Sequence, residues 1–237
     1  VIRHLPLTFA LLASLVLVFA AELYVAQTCC GTAAMTETLI GTPSEEVLMR
    51  SGALVTQRGI ETKWWTLFTS MFVHIGVLHL ALNGMALAQL GYLLEGLFGR
   101  RAMAISFFAS GVAAAVASHI EVIDDPRLSV YAGASGAIFG LLGTLIVALR
   151  RSRSDGWSHN LSRRLLGCAT FNVVIGVAFA AIAAWLGSEY TVANGAHLAG
   201  LASGALIGWL PLRIRERPFS SALVNRLSGA RSVPRDT

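Results

Sequence analysis

Charge is scarce in this chain. Asp, Glu, Lys and Arg make up 13 % of its 237 residues, about half the share found in a soluble domain. Lysine occurs once, at Lys63. Hydrophobic residues reach 55 %, and mean hydropathy is +0.66. So little polar surface excludes an ordinary soluble protein and leaves a membrane protein, most simply one compact domain. Cysteine is also scarce. Cys29 and Cys30 are adjacent, Cys168 stands alone, and there is no CxxC or His/Cys spacing. A disulfide framework is therefore excluded, and the adjacent pair is expected to stay unbonded. HExxH is missing too, so no metal and no cofactor are expected.

What is present is a set of long apolar stretches. They run at about 5–26, 74–94, 102–120, 133–149, 165–186 and 193–211, and as helices they are long enough to cross ~30 Å of hydrocarbon. With the N-terminus inside, the inner segments hold Arg3, Arg100, Arg101, Arg150, Arg151, Arg153, Arg163, Arg164, Arg213, Arg215, Arg217, Arg226, Arg231 and Arg235, which is 14 of the 18 basic residues. The outer side holds most of the acids, among them Glu22, Glu45, Glu46, Glu121, Asp124 and Asp125. The positive-inside rule then sets both termini in the cytoplasm and an even number of spans. The net charge of +5 is thus topology and not a nucleic-acid footprint. The first run has features of a signal peptide but is long for an h-region, so it is expected to be retained.

The expected organisation is a first transmembrane helix (1–27), an outer loop with interfacial helices (28–73), a membrane core of five helices (74–212) and a flexible basic tail (213–237). The stretch Glu45–Arg58 mixes apolar and charged positions, which suggests short amphipathic helices. Trp64 and Trp65 suit the aromatic belt where the chain re-enters lipid.

Polar side chains inside apolar helices are costly, so each is a functional suspect. His74, His79 and Asn83 fall in the outer half of the second helix, Ser135 near the outer end of the fourth, and Asn194 and His197 in the first turns of the sixth. These three helices all run outside to inside, so the polar residues gather in one outer layer. Ser135 and His197 supply a hydroxyl and a base, the minimum for nucleophilic acyl chemistry. His79 and Asn83, at i and i+4, share a helix face. With the backbone N–H at Ser135 they offer donors for an oxyanion. Gly133 lets the chain approach closely before the nucleophile, and Gly136 removes a side chain where the sixth helix must come near. Gly200, Gly204 and Gly208 form a small-residue stripe on the face that carries His197. Asn194 is placed to cap the sixth helix.

The motifs GASG at 133–136, HLALN at 79–83 and ANGAHLAGLASG at 193–204, with WWTLFTSMFVH at 64–74, resemble the rhomboid family of intramembrane serine proteases. The resemblance covers about 60–211. It implies an all-α six-transmembrane-helix bundle with a long first outer loop, and a Ser135–His197 dyad with no aspartate. It also implies oxyanion contacts from Ser135 N–H, His79 and Asn83, and a structural role for Glu95 holding loop contacts. Expected partners are transmembrane-segment protein substrates and the lipid bilayer, in a bacterial inner membrane with the site near the periplasmic face; oligomeric state is left open, a monomer being compatible. Two positions depart from the family. Trp65 is followed by Thr66 instead of Arg, and Phe139 stands where many bacterial members have a Tyr that stacks on the catalytic His. Other readings are a catalytically silent rhomboid-like client binder, a sorting-type rhomboid that processes C-terminal anchors, and a small transporter. The transporter lacks an ionisable path to the inner side.

Overall fold

The computed structural model describes residues 5–41, 43–59, 61–152, 156–185, 194–210 and 212. The basic tail, the stretch around Glu189 and the first four residues lie outside these. The described elements are α1 (Pro6–Ile40), α2 (Glu45–Ser51), β1 (Leu54–Thr56), α3 (Thr66–Thr69), α4 (Gly76–Phe98), α5 (Arg100–Val122), β2 (Ser129–Tyr131), α6 (Ser135–Arg151), α7 (Gly156–Trp185) and α8 (Asn194–Trp209). The fold is an all-α membrane bundle in which six helices are long. Four of them, α1, α4, α5 and α7, are long and apolar enough to cross a membrane by length and composition. The other two, α6 and α8, have 17 and 16 residues, or roughly 25 Å at 1.5 Å per residue, and are the helices that carry Ser135 and His197.

α6 and α8 pack closely against each other. The glycine stripe of α8 lies on a matching small-residue stripe of α6. A Cβ on Gly200 would run into the Gly136 carbonyl oxygen, one on Gly204 into the Gly140 carbonyl oxygen, and one on Gly208 would come 2.6 Å from the Thr144 carbonyl oxygen. Lipid tails are as apolar as leucine, so what holds two such helices is backbone proximity and hydrogen bonding. The Thr144 hydroxyl supplies the latter. It lies 2.9 Å from the Gly204 carbonyl and 3.0 Å from both the Gly140 carbonyl and Ser106 Oγ. Buried Phe107, Met103, Leu141, Leu145 and Leu149 fill the core between α5 and α6.

Several boundaries differ from the sequence expectation. The first helix does not stop near residue 26. It continues to Ile40 through a kink at Gly31, whose φ of 88° breaks the helical run without ending it. Cys29 and Cys30 are joined in a disulfide just before that kink, so the expectation that they stay unbonded fails. Only part of Glu45–Arg58 is helical. Gly52 adopts φ 95° and closes α2, and the strand that follows, with β-branched Val55 and Thr56, pairs antiparallel with β2, Leu54 opposite Tyr131 and Thr56 opposite Ser129. Branched side chains favour this pleated geometry, but a three-residue strand is fixed by its distant partner and leaves almost no local signal. α7 is already helical at Gly156, nine positions before its apolar run; Trp157, Leu161 and Leu165 still pack on the core there, and Ser162 Oγ donates to the Ile146 carbonyl at 2.8 Å. Hydropathy marks the lipid-facing part of a helix, not its whole length.

Candidate active site

The N-terminal ends of α4, α6 and α8 meet around one cavity of about 670 Å³, whose wall includes His79, Asn83, Tyr131, Ser135, Phe139 and His197. α7 closes another side through Leu165, Cys168 and Asn172. Ser135 is the first residue of α6, so its backbone N–H has no acceptor within its own helix and sits at the positive end of the helix dipole. The loop before it is tied down by Gly133 N–H, which donates to the Ser70 carbonyl at 2.9 Å. Gly133 has φ +124°, and a Cβ there would lie 2.7 Å from His79 Cε1. Glycine is therefore required twice at this position, by its dihedral angle and by the ring laid against it.

His197, one turn before Gly200, reaches across from α8. Its Nε2 lies 2.8 Å from Ser135 Oγ. With the imidazole neutral and its proton on Nδ1, the serine hydroxyl donates to Nε2. Phe139, one turn along α6, stacks on the His197 ring with centroids 4.5 Å apart and planes 6° from parallel. The loss of a tyrosine hydroxyl at this position leaves the stacking face intact. Tyr131 stands beside this pair, and burial pushes its phenol up to about 12, so it presents a neutral hydroxyl.

His79 and Asn83 line the same cavity. Asn83 is buried, and one of its N–H groups donates to the His79 carbonyl at 3.1 Å, which leaves its second N–H for a ligand. His79 Nδ1 accepts from the Ile75 N–H at 3.3 Å. Gly136 differs from its expected role. The space its missing side chain would fill faces Ala114 and Tyr131, while α8 approaches its carbonyl through Gly200. His74 does not join the cavity wall. It is fully buried, with Nδ1 donating to the Phe72 carbonyl at 2.9 Å. Asn194 is the first described residue of α8, so its expected capping role falls at the edge of the described residues. Thr66, buried at the start of α3, donates to the Lys63 carbonyl at 2.6 Å.

Glu95 holds a helix end and not a loop. Its buried carboxylate accepts from Leu7 N–H (3.1 Å), Thr8 N–H (2.7 Å) and Thr8 Oγ1 (2.7 Å). α1 has no side-chain cap of its own at that end, so Glu95 supplies one from α4. Glu22 was counted with the outer acids, yet it is 1 % exposed and accepts the His74 N–H at 3.1 and 3.3 Å through its two oxygens. A carboxylate inside an apolar run was the available signal for it.

A family model, the Rhomboid domain, matches residues 61–214. The chain belongs to the rhomboid family. The match takes in α3 to α8, which include every cavity element named above. Among similar rhomboid relatives, the putative rhomboid protease YdcA of Bacillus subtilis (strain 168) is 29 % identical over 66 % of this chain and 72 % of its own length. Rhomboid protease GluP of the same organism is 30 % identical over 69 % of this chain but only 29 % of its own length. RHOMBOID-like protein 7 of Arabidopsis thaliana is 30 % identical over 72 % of this chain and 50 % of its own. The chain thus spans less than a third of GluP and half of RHOMBOID-like protein 7. Like other rhomboids it is an integral membrane protein, with apolar helices long enough to span.

Proposed function

We propose that this rhomboid is an intramembrane serine endopeptidase that cleaves transmembrane segments of other proteins with Ser135 and His197 as its dyad. The observation that carries the proposal is the 2.8 Å contact between Ser135 Oγ and His197 Nε2 on the wall of a cavity lined by apolar helices. Two similar proteins bear the name rhomboid protease, which favours peptide hydrolysis over client binding alone.

Neutral His197 takes the Ser135 proton as Oγ attacks the scissile carbonyl. The tetrahedral oxyanion forms beside the Ser135 N–H, with His79 and the second Asn83 N–H as further donors. His197 then protonates the leaving amine, and water taken up from the outer side releases the acyl-enzyme. No aspartate is required, because stacking on Phe139 fixes the imidazole plane and the oxyanion donors carry much of the rate; one such donor is typically worth on the order of 10²–10³. A substrate helix must unwind before its backbone can be attacked, since its carbonyls are otherwise bonded within the helix. Segments with weak helix formers are therefore preferred, with a small side chain at the cut. The cavity is walled by α4 on one side and α7 on another, and access for the substrate is lateral, between these two helices. Arg100, Arg101, Arg150 and Arg151 lie at the opposite ends of the helices from the site. This charge pattern supports cytoplasmic termini and a site near the outer face of a bacterial inner membrane.

The test is covalent labelling of the folded protein with a fluorophosphonate. The expected result is one modified residue, Ser135, with labelling abolished in His197→Ala. Labelling that persists in Ser135→Ala would place the nucleophile elsewhere.

A further inference from the structure

We propose that Glu22 is a positioning residue for the oxyanion donor His79, an inference that rests on the proteolytic reading above. Burying a carboxylate is expensive unless it is hydrogen-bonded. Glu22, deep in α1 and 52 positions before its partner, directs both oxygens at the His74 backbone N–H. His74 and Ile75 precede α4, so their N–H groups are not part of its hydrogen-bond ladder. The first points back to α1. The second, on the very next residue, points forward to His79 Nδ1 at 3.3 Å. α1 grips the same segment at a second place, because Gly76 has φ +84° and a Cβ there would lie 2.7 Å from the Gly41 backbone nitrogen.

The consequence is a fixed tautomer. A backbone N–H only donates, so His79 Nδ1 must accept, and the neutral ring carries its proton on Nε2. That edge of the ring faces the chain leading to the nucleophile. A Cβ on Gly133, two residues before Ser135, would be 2.7 Å from His79 Cε1 and 3.1 Å from Nε2, against 3.8 Å from Nδ1, and His79 shares the cavity wall with Ser135. The Nε2–H is therefore the donor presented to an oxyanion. If the His74–Ile75 segment loses its hold, Ile75 N–H drifts and the other tautomer becomes accessible, with a bare Nε2 that would repel an oxyanion. Glu22 acts through this segment and touches no substrate.

The experiment uses the full-length protein in lipid bilayers with ¹⁵N-labelled histidine. Ring-nitrogen shifts report the His79 tautomer without reference to activity. Wild type is expected to show Nε2–H alone. Glu22→Met, which keeps the bulk but has no acceptor for the N–H, is expected to show both tautomers. Glu22→Gln, whose carboxamide oxygen still accepts, is expected to restore the wild-type signal. Should Glu22→Met not fold, His74→Pro, which removes the N–H that Glu22 accepts, must give the same mixture, as must Ile75→Pro, which removes the donor to His79 directly. In parallel, cleavage of a reporter transmembrane segment by Glu22→Met should lose about tenfold in kcat, less than the on-the-order-of 10²–10³ of a deleted donor, with KM within about twofold. In a His79→Ala background the same substitution should cost nothing further. An unchanged tautomer in folded Glu22→Met, in His74→Pro or in Ile75→Pro, or an equal kcat loss with and without His79, overturns the inference. Absence of cleavage by wild type would overturn the proteolytic reading instead, while the tautomer signal would still decide the role of Glu22.

Discussion

Adding one methyl group to Gly200 tests how the dyad is held together. The new Cβ would overlap the Gly136 carbonyl oxygen, and the next atoms it meets, Gly136 C and Cα, lie at 3.0 and 3.3 Å. All three are backbone, so no rotamer change relieves the overlap and α8 must move away from α6 by roughly 1 Å. His197 is one turn away on the same face and moves with it. Its 2.8 Å contact with Ser135 then lengthens past the roughly 3.2 Å at which such bonds weaken. A misplacement of about 1 Å at reacting atoms costs on the order of 10²-fold in rate, and overpacking of this kind typically costs about 1–3 kcal/mol in stability. Gly204→Ala, which meets the Gly140 carbonyl, should behave alike. Gly167→Ala is the control. Nothing lies within 4 Å of a Cβ there, so both activity and thermal stability should hold. The assay is reporter-segment cleavage at a temperature well below the melting points measured for each variant. Wild-type kcat/KM in folded Gly200→Ala and Gly204→Ala would refute the view that α6–α8 contact sets the dyad.

Other residues make separable predictions. Glu95→Ala strands the N–H groups of Leu7 and Thr8 and the Thr8 hydroxyl, all now bonded to one carboxylate. Melting in detergent should fall by the equivalent of about 2–3 kcal/mol, while kcat measured below the transition stays near wild type. Phe139→Ala removes the ring stacked on His197 and should lower kcat by roughly 2- to 13-fold, the equivalent of the about 0.5–1.5 kcal/mol of an aromatic pair; Phe139→Tyr should retain activity, and the two variants are compared by steady-state cleavage kinetics.

The meeting of Ser135 and His197 was legible because each is a polar residue near the start of an otherwise apolar helix, and the arginine pattern led to the expectation that the two helices run in the same direction. The glycine repeat at 200, 204 and 208 told which face of α8 is packed, though not that Gly136 turns its open side to Ala114. What stayed illegible depends on contacts between distant positions. Glu22 falls near the end of the first apolar run, where it reads as one more outer acid, and only the fold brings the His74 N–H to it. Glu95 was readable as structural, but its target on the first turn of α1 lies 88 positions away. β1 and β2 are three residues each and stabilise one another, so neither has a local pattern long enough to see. The Gly31 kink hides because a glycine within a helical run does not announce whether the helix ends or bends.

The central claim is tested most directly by cleavage of a reporter transmembrane segment in liposomes, comparing wild type with Ser135→Ala and His197→Ala, each shown to be folded. The account predicts cleavage by wild type at a bond near the outer interface and none above background in either variant. Cleavage that survives Ser135→Ala would contradict it.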